Sequence, residues 1–185
     1  MKISYLQGRL GSHRFKDKNS VLLKLCNMRV LIKSVRKKKD SKRAVKEVLV
    51  LCFRIAQTYG FKLNHELARR FPGRCSYCTG RPCFCHTLSQ KPQLRLLEIP
   101  PNWWSTLTLY GFQQDQGEVY PKPAGNLEDV LHFAEEILEL IEVFLLPVFN
   151  KEKVIEETCD LFEHAVCVAR SVGINCEDLF RKPPT

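Results

Sequence analysis

Five carboxylates in the C-terminal half are spaced for chemistry: Glu135, Glu136 and Glu139 in one run, Glu157 and Asp160 in the next. Residues three and four apart share a helix face, so each run projects its acids along one stripe. If the two stripes face each other, four or more carboxylates converge. Like charges a few ångströms apart repel by about 1 kcal/mol or more even when partly screened, so such a group needs cations or open solvent. Hard oxygen donors without accompanying histidines suit Mg2+ or Mn2+. The bland alternative is a solvated acidic face on two surface helices. A second constellation, Cys75-x-x-Cys78-x4-Cys83-x-Cys85, brings four thiols within reach of one tetrahedral ion, with Gly73 and Gly80 allowing tight turns and His86 able to replace one thiolate. Zn2+ is its natural occupant, in a structural role because protein fills every position; unligated thiols or disulfides are the alternative.

The elements that must position these residues read as helices. From Asn126, a helix cap, Leu127, Val130, Leu131, Ala134, Ile137, Leu138, Ile141 and Leu145 fill one arc at about 100° per residue, with Glu135, Glu136, Glu139 and Glu142 in the arc beside it, until Pro147 breaks the helix. Asn150 caps a second helix, closed by Gly173, in which Ile155, Cys159, Phe162, Val166 and Ala169 form the core arc beside Glu156, Glu157, Asp160 and Glu163. The short turn between them folds the pair antiparallel. The first half repeats the plan after a basic leader of about twenty residues: a helix from Val21 to Val35, then one capped by Asp40-Ser41 with Val45, Val48, Leu49, Cys52, Ile55, Ala56 and Tyr59 buried and Gly60 as its stop, then a short helix from Asn64 to Phe71. Both second helices end alike, in Tyr59-Gly-Phe-Lys-Leu-Asn-His-Glu-Leu67 and Val172-Gly-Ile-Asn-Cys-Glu-Asp-Leu179, which suggests an internal duplication. The fold class is all-α, divided as 1–74 (first repeat with leader), 75–86 (cysteine cluster), 87–125 (proline-bearing irregular connector) and 126–185 (second repeat with the acids).

Composition sets the class. The chain has 185 residues, 44% apolar and 26% charged, a soluble globular balance with neither a signal-peptide pattern nor a membrane span, since the apolar stretch Ile137–Phe149 is interrupted by Glu139 and Glu142. Its net charge of +9 hides a split. Residues 1–91 carry 22 Lys and Arg against 4 Asp and Glu, residues 92–185 carry 7 against 16. A basic half suits phosphate and an acidic half suits cations, although opposite halves also simply attract. Nine cysteines, an odd count, point to a reducing, cytoplasmic compartment.

The pattern Glu135-Glu136-x-x-Glu139 followed by Glu157-x-x-Asp160 on consecutive helices resembles the signature of MazG-like, all-α nucleoside triphosphate pyrophosphohydrolases. The likeness covers 126–181, through Arg170-Ser-Val-Gly173-Ile-Asn-Cys-Glu-Asp-Leu-Phe180, and touches the first half at Tyr59-Gly60-Phe61 and Arg70-Phe71-Pro72-Gly73-Arg74-Cys75. The first half lacks the acids: thirteen residues before Gly60 stands Glu47, as Asp160 stands thirteen before Gly173, but Ala44 matches Glu157 and Lys24-Leu-Cys-Asn-Met28 lies where Glu-Glu-x-x-Glu belongs. The resemblance implies a fused pair, one repeat competent and one degenerate, packed as a four-helix bundle like the dimers of single-repeat relatives, with further homodimerisation open.

By that resemblance the activity is hydrolysis of a nucleoside triphosphate to monophosphate and pyrophosphate. Glu136, Glu139, Glu157 and Asp160 would hold Mg2+ or Mn2+, Glu135 would assist as ligand or orient water, and Lys153 would meet the triphosphate. The Arg36–Lys39 and Lys42-Arg43 runs are further phosphate candidates but read better as solvated surface. Trp103 and Trp104 are candidates for base stacking, with a stronger case as apolar pins for the connector. The alternative function is a nonenzymatic nucleic-acid-binding or regulatory module using the basic half and the cysteine knuckle.

Overall fold

The computed structural model describes residues 1–32, 38–75, 77–89, 102–121 and 126–181; the side chains of 29–32, 38–39, 86 and 126–129 are also outside it. All regular structure among these residues is helical: α1 (Ile3–Leu10), α2 (Lys18–Ile32), α3 (Lys38–Tyr59), α4 (Leu63–Arg70), α5 (Trp103–Thr106), α6 (Leu109–Val119), α7 (Asn126–Leu145) and α8 (Lys151–Ser171), with single 3-10 turns at Cys85–Thr87 and Cys176–Leu179. None of these helices is long and apolar enough to cross a membrane. The Arg36-Lys37 part of the basic run, the His86 side chain and connector residues 90–101 and 122–125 lie outside the described residues.

The four long helices form two hairpins, α2–α3 and α7–α8. These pack through an extensive α3–α8 contact and a second contact of α2 on α7. The seam is aromatic. Phe162 of α8 meets Phe53 of α3 edge-on at 5.8 Å and Phe112 of α6 at 5.7 Å, all three rings fully buried, arrangements that contribute about 0.5–1.5 kcal/mol per pair beyond area burial. Asn150 caps α8 as expected, its side chain accepting from Lys153 N at 3.2 Å. Helix α2 starts earlier than its apolar stripe because Asp17 Oδ1 accepts from Ser20 N at 2.7 Å. Helix α3 also starts earlier, so Asp40-Ser41 is not its cap; Ser41 is fully buried inside the first turns.

The ends of α3 and α8 share their local geometry. Gly60 and Gly173 both take φ +67°, a left-handed conformation that favours glycine. Each lets the next residue fold back on the helix, Phe61 N donating to Ala56 O at 3.0 Å and Ile174 N to Ala169 O at 2.7 Å. Each following segment is then held by a buried glutamine that accepts and donates in the same pattern. Gln7 donates to Phe61 O at 2.7 Å and accepts from Leu63 N at 2.9 Å. Gln113 donates to Ile174 O at 2.7 Å and accepts from Cys176 N at 3.0 Å. Helices α1 and α6 are thus counterparts, Ile3, Leu6 and Gln7 matching Leu109, Phe112 and Gln113. They touch reciprocally, Ile3 N donating to Leu107 O at 3.1 Å and Leu109 N to Met1 O at 2.9 Å. The stretch expected as an irregular connector contains α5 and α6, and the leader contains α1. Trp103 and Trp104 are half-buried and pack against the core, Trp104 O accepting from Asn64 Nδ2 at 2.8 Å.

Candidate metal centres

Helices α7 and α8 lie antiparallel, and their acidic stripes meet. Carboxylate oxygens of Glu136, Glu139 and Glu157 all lie within 4.8 Å of one another. Positions 136 and 139 are one turn apart on α7, and Glu157 reaches them from α8. Asp160, the next turn of α8, is close enough to be the leading electrostatic neighbour of both Glu136 and Glu157. Glu139 stands at the exposed rim while Glu157 is only 9% exposed.

Burial and mutual repulsion disfavour the charged forms of these acids. Burial, then the charges of Asp160, Glu139 and Glu157, pushes Glu136 up to about 8. Burial followed by Asp160 and Glu139 lifts Glu157 to about 7. Asp160 rises to about 6, again mainly through burial, with the Arg70 guanidinium pulling it back. Glu136 Oε2 is buried and accepts no hydrogen bond among the described residues. A buried, unpartnered carboxylate oxygen beside three more acids fits a hard divalent cation, which supplies the missing charge.

The surroundings are polar and partly cationic. Lys153 Nζ lies 2.8 Å from Glu156 Oε2 and 4.0 Å from Glu157 Oε1. Arg70, from α4 in the first half, places NH1 3.8 Å from Glu156 Oε1, so two cations flank the acidic group through one shared glutamate. His164 Nδ1 sits 3.1 Å from the Asp160 carbonyl oxygen, 3.3 Å from Glu163 Oε2 and 3.5 Å from Glu136 Oε1. Sequence reasoning left His164 and Arg70 out of the site. His164 was legible, since it stands four residues after Asp160 on the same arc; Arg70 was not, because only the tertiary fold brings α4 to α8.

Glu135 does not join the group. One residue from Glu136 means about 100° around the helix, and Glu135 points outward, 62% exposed and 2.9 Å from His132 Nδ1. In the first half, the counterpart position holds an internal ion pair instead. Glu47 Oε2 lies 3.2 Å from Lys24 Nζ and its Oε1 3.0 Å from Arg43 Nε; burial raises Glu47, but these two hydrogen-bonded cations outweigh it and hold the carboxyl below its ordinary range. Ala44, matching Glu157, is 1% exposed. At the positions matching Glu136 and Glu139 stand Leu25 and Met28, both fully buried, so the first half has no facing acids to gather a cation.

The four thiols of Cys75, Cys78, Cys83 and Cys85 also lie within 4.8 Å of one another, a set able to hold a metal ion. Cys75 and Cys85 Sγ are 3.6 Å apart, Cys78 and Cys83 Sγ 3.8 Å, and none is in a disulfide. Backbone amides already point at sulfur, Phe84 N donating to Cys78 Sγ at 3.4 Å and Cys85 N to Cys83 Sγ at 3.5 Å. Although burial raises it, Cys78 is carried down to about 6 by amide hydrogen bonds from Phe84 and Gly80, while burial and its neighbouring thiols push Cys85 up to about 12. The loop is tied to α6: Cys83 N donates to Val119 O at 2.7 Å and Arg81 NH2 to Asp115 Oδ1 at 3.0 Å.

The chain matches no protein-family model, no curated protein and no solved structure.

Proposed function

We propose that the protein is a divalent-cation-dependent nucleoside triphosphate pyrophosphohydrolase built like the MazG-like enzymes, from a competent repeat and a degenerate one in a single four-helix bundle. The convergence of Glu136, Glu139 and Glu157 beside Asp160, with a buried unpartnered oxygen on Glu136, carries the reading. In the reaction a water oxygen bonds to the α-phosphorus as the bond from that phosphorus to the bridging oxygen breaks, giving nucleoside monophosphate, pyrophosphate and a proton. Bound Mg2+ or Mn2+ would neutralise the phosphate oxygens and acidify the attacking water.

The chain's own residues do the rest. Glu136, Glu139, Glu157 and Asp160 would form the cation cradle, with the His164 imidazole beside it, 3.5 Å from the Glu136 carboxylate. Lys153 and Arg70 offer positive charge at the rim, where the departing pyrophosphate gains charge, and Glu156 keeps both in place. In the degenerate half Glu47 is neutralised by Lys24 and Arg43 and Ala44 stands for Glu157, leaving one active site per chain. The cysteine cluster is a structural Zn2+ knuckle that staples the start of the second half to the end of the first.

The test is to incubate the purified chain with a panel of nucleoside triphosphates and Mg2+ and to measure monophosphate and pyrophosphate. Glu139→Gln with Asp160→Asn should abolish turnover in a folded protein. Unchanged turnover in that variant would place the activity elsewhere or in a contaminant.

A further inference from the structure

Helix α1, the end of α3, the start of α4 and α5 line an open cleft of about 340 Å3, inside the range of roughly 300–1,000 Å3 that holds small molecules. Its α1 wall is bare at Gly8. Glycine inside a helix destabilises it relative to alanine, and no neighbour demands the glycine here, since a Cβ would meet nothing within 4 Å. The missing side chain keeps the cleft open. Gln7 lines it with both ends of its amide engaged, donating to Phe61 O and accepting from Leu63 N. Other polar groups of the lining are free to meet a ligand. Asn64, only 2% exposed, donates Nδ2 to Trp104 O and leaves its Oδ1 without a partner among the described residues, as are the Gln57 amide and the Ser4 hydroxyl.

The same lining carries a cation and an aromatic ring. Lys62 Nζ stands 5.4 Å from the centroid of the half-buried Trp104 ring, and His65 meets that ring edge-on at 5.6 Å. No carboxylate lines the cleft or pairs with Lys62 among the described residues; Glu66, on α4, is taken by His65 and Arg69, each at 3.2 Å. The cleft therefore suits an anion and offers no acid to a metal. Planar amides, each with a donor and an acceptor side by side, match the N6/N7 edge of adenine. An indole ring stacks a base, and an ammonium on a flexible stem meets a phosphate. We propose that this cleft binds adenosine monophosphate without a metal ion, the base against Trp104 with its edge on Gln57 and Asn64, and the phosphate on Lys62. None of the α7–α8 acids lines the cleft, so this site is independent of the pyrophosphohydrolase reading.

Titration calorimetry and tryptophan fluorescence on the full chain, in buffer without Mg2+ or Mn2+, test it with adenosine monophosphate, adenosine and inorganic phosphate as probes. The monophosphate should bind and change the tryptophan emission, with adenosine or phosphate alone weaker by roughly tenfold or more. Gly8→Leu, which fills the cleft with a better helix former, and Lys62→Ala should each weaken binding by roughly tenfold or more while helical circular dichroism stays unchanged. Glu139→Gln should leave the affinity intact, whatever it does to turnover. No binding at millimolar monophosphate would overturn the proposal, as would phosphate alone binding equally tightly. Affinity unchanged in both folded cleft variants, or lost in Glu139→Gln, would overturn it as well, because the nucleotide would then sit elsewhere.

Discussion

At the residue scale the site is defined by carboxylates that hold protons more tightly than ordinary acids do. Asp160, Glu157 and Glu136 are raised to about 6, 7 and 8. Below the ordinary carboxylate range these groups are protonated in folded and unfolded chain alike, and their contribution to stability is fully present. As pH rises towards 8 the folded protein must surrender protons that the unfolded chain has already lost, so metal-free stability falls across that window. Added Mg2+ or Mn2+ should reverse the loss, so the increment in melting temperature should be small at pH 5 and grow to pH 8.5, with protons released on binding. An increment independent of pH, measured by differential scanning fluorimetry, would contradict this assignment. His164→Ala should lower metal affinity by about 10–100-fold, the usual effect of removing a residue that orients a ligand, with the fold intact; titration calorimetry with Mn2+ reads it directly. The spacing of Glu136, Glu139, Glu157 and Asp160 was legible in the sequence because helix periodicity alone puts those side chains on facing stripes. That Glu135 turns away was equally implicit in its adjacency to Glu136, but the run of three acids concealed it.

At the element scale, the long helices were readable because each buries a continuous apolar arc. Helices α1 and α6 were not. Each is short, and α6 fills its inward face with Gln113 and Gln116 as well as Leu109, Phe112 and Val119, so polar residues occupy positions where periodicity looks for apolar ones. Gln113 is buried because it satisfies the backbone at the end of α8, a demand visible only once that helix is in place. The same packing makes Phe162 an exacting position on α8, since its ring meets Phe53 of α3 and Phe112 of α6. Phe162→Ala should cost about 3–5 kcal/mol of unfolding free energy; chemical denaturation that finds less than half of that would mean the seam tolerates a cavity and the two hairpins are not held by it.

At the scale of the whole molecule, the opposite charges of the two halves have found concrete uses. Arg70 of the first half stands beside Glu156 of the second, and Arg81 of the cysteine loop pairs with Asp115 of α6. The basic half thus places one of its cations at the rim of the acidic site. Composition gave the split but not the pairing, because the partners are distant in sequence and only the packing of α4 on α8 joins them. In this account the degenerate repeat is a scaffold and a source of positive charge, and chemistry is confined to α7 and α8. The most direct test of that claim is hydrolysis of a nucleoside triphosphate in 18O-water with Mg2+, followed by mass spectrometry of both products. The account predicts heavy oxygen in the monophosphate, none in the pyrophosphate, and no turnover in Glu139→Gln. Failure to turn over any triphosphate, or release of diphosphate with labelled orthophosphate, would contradict it.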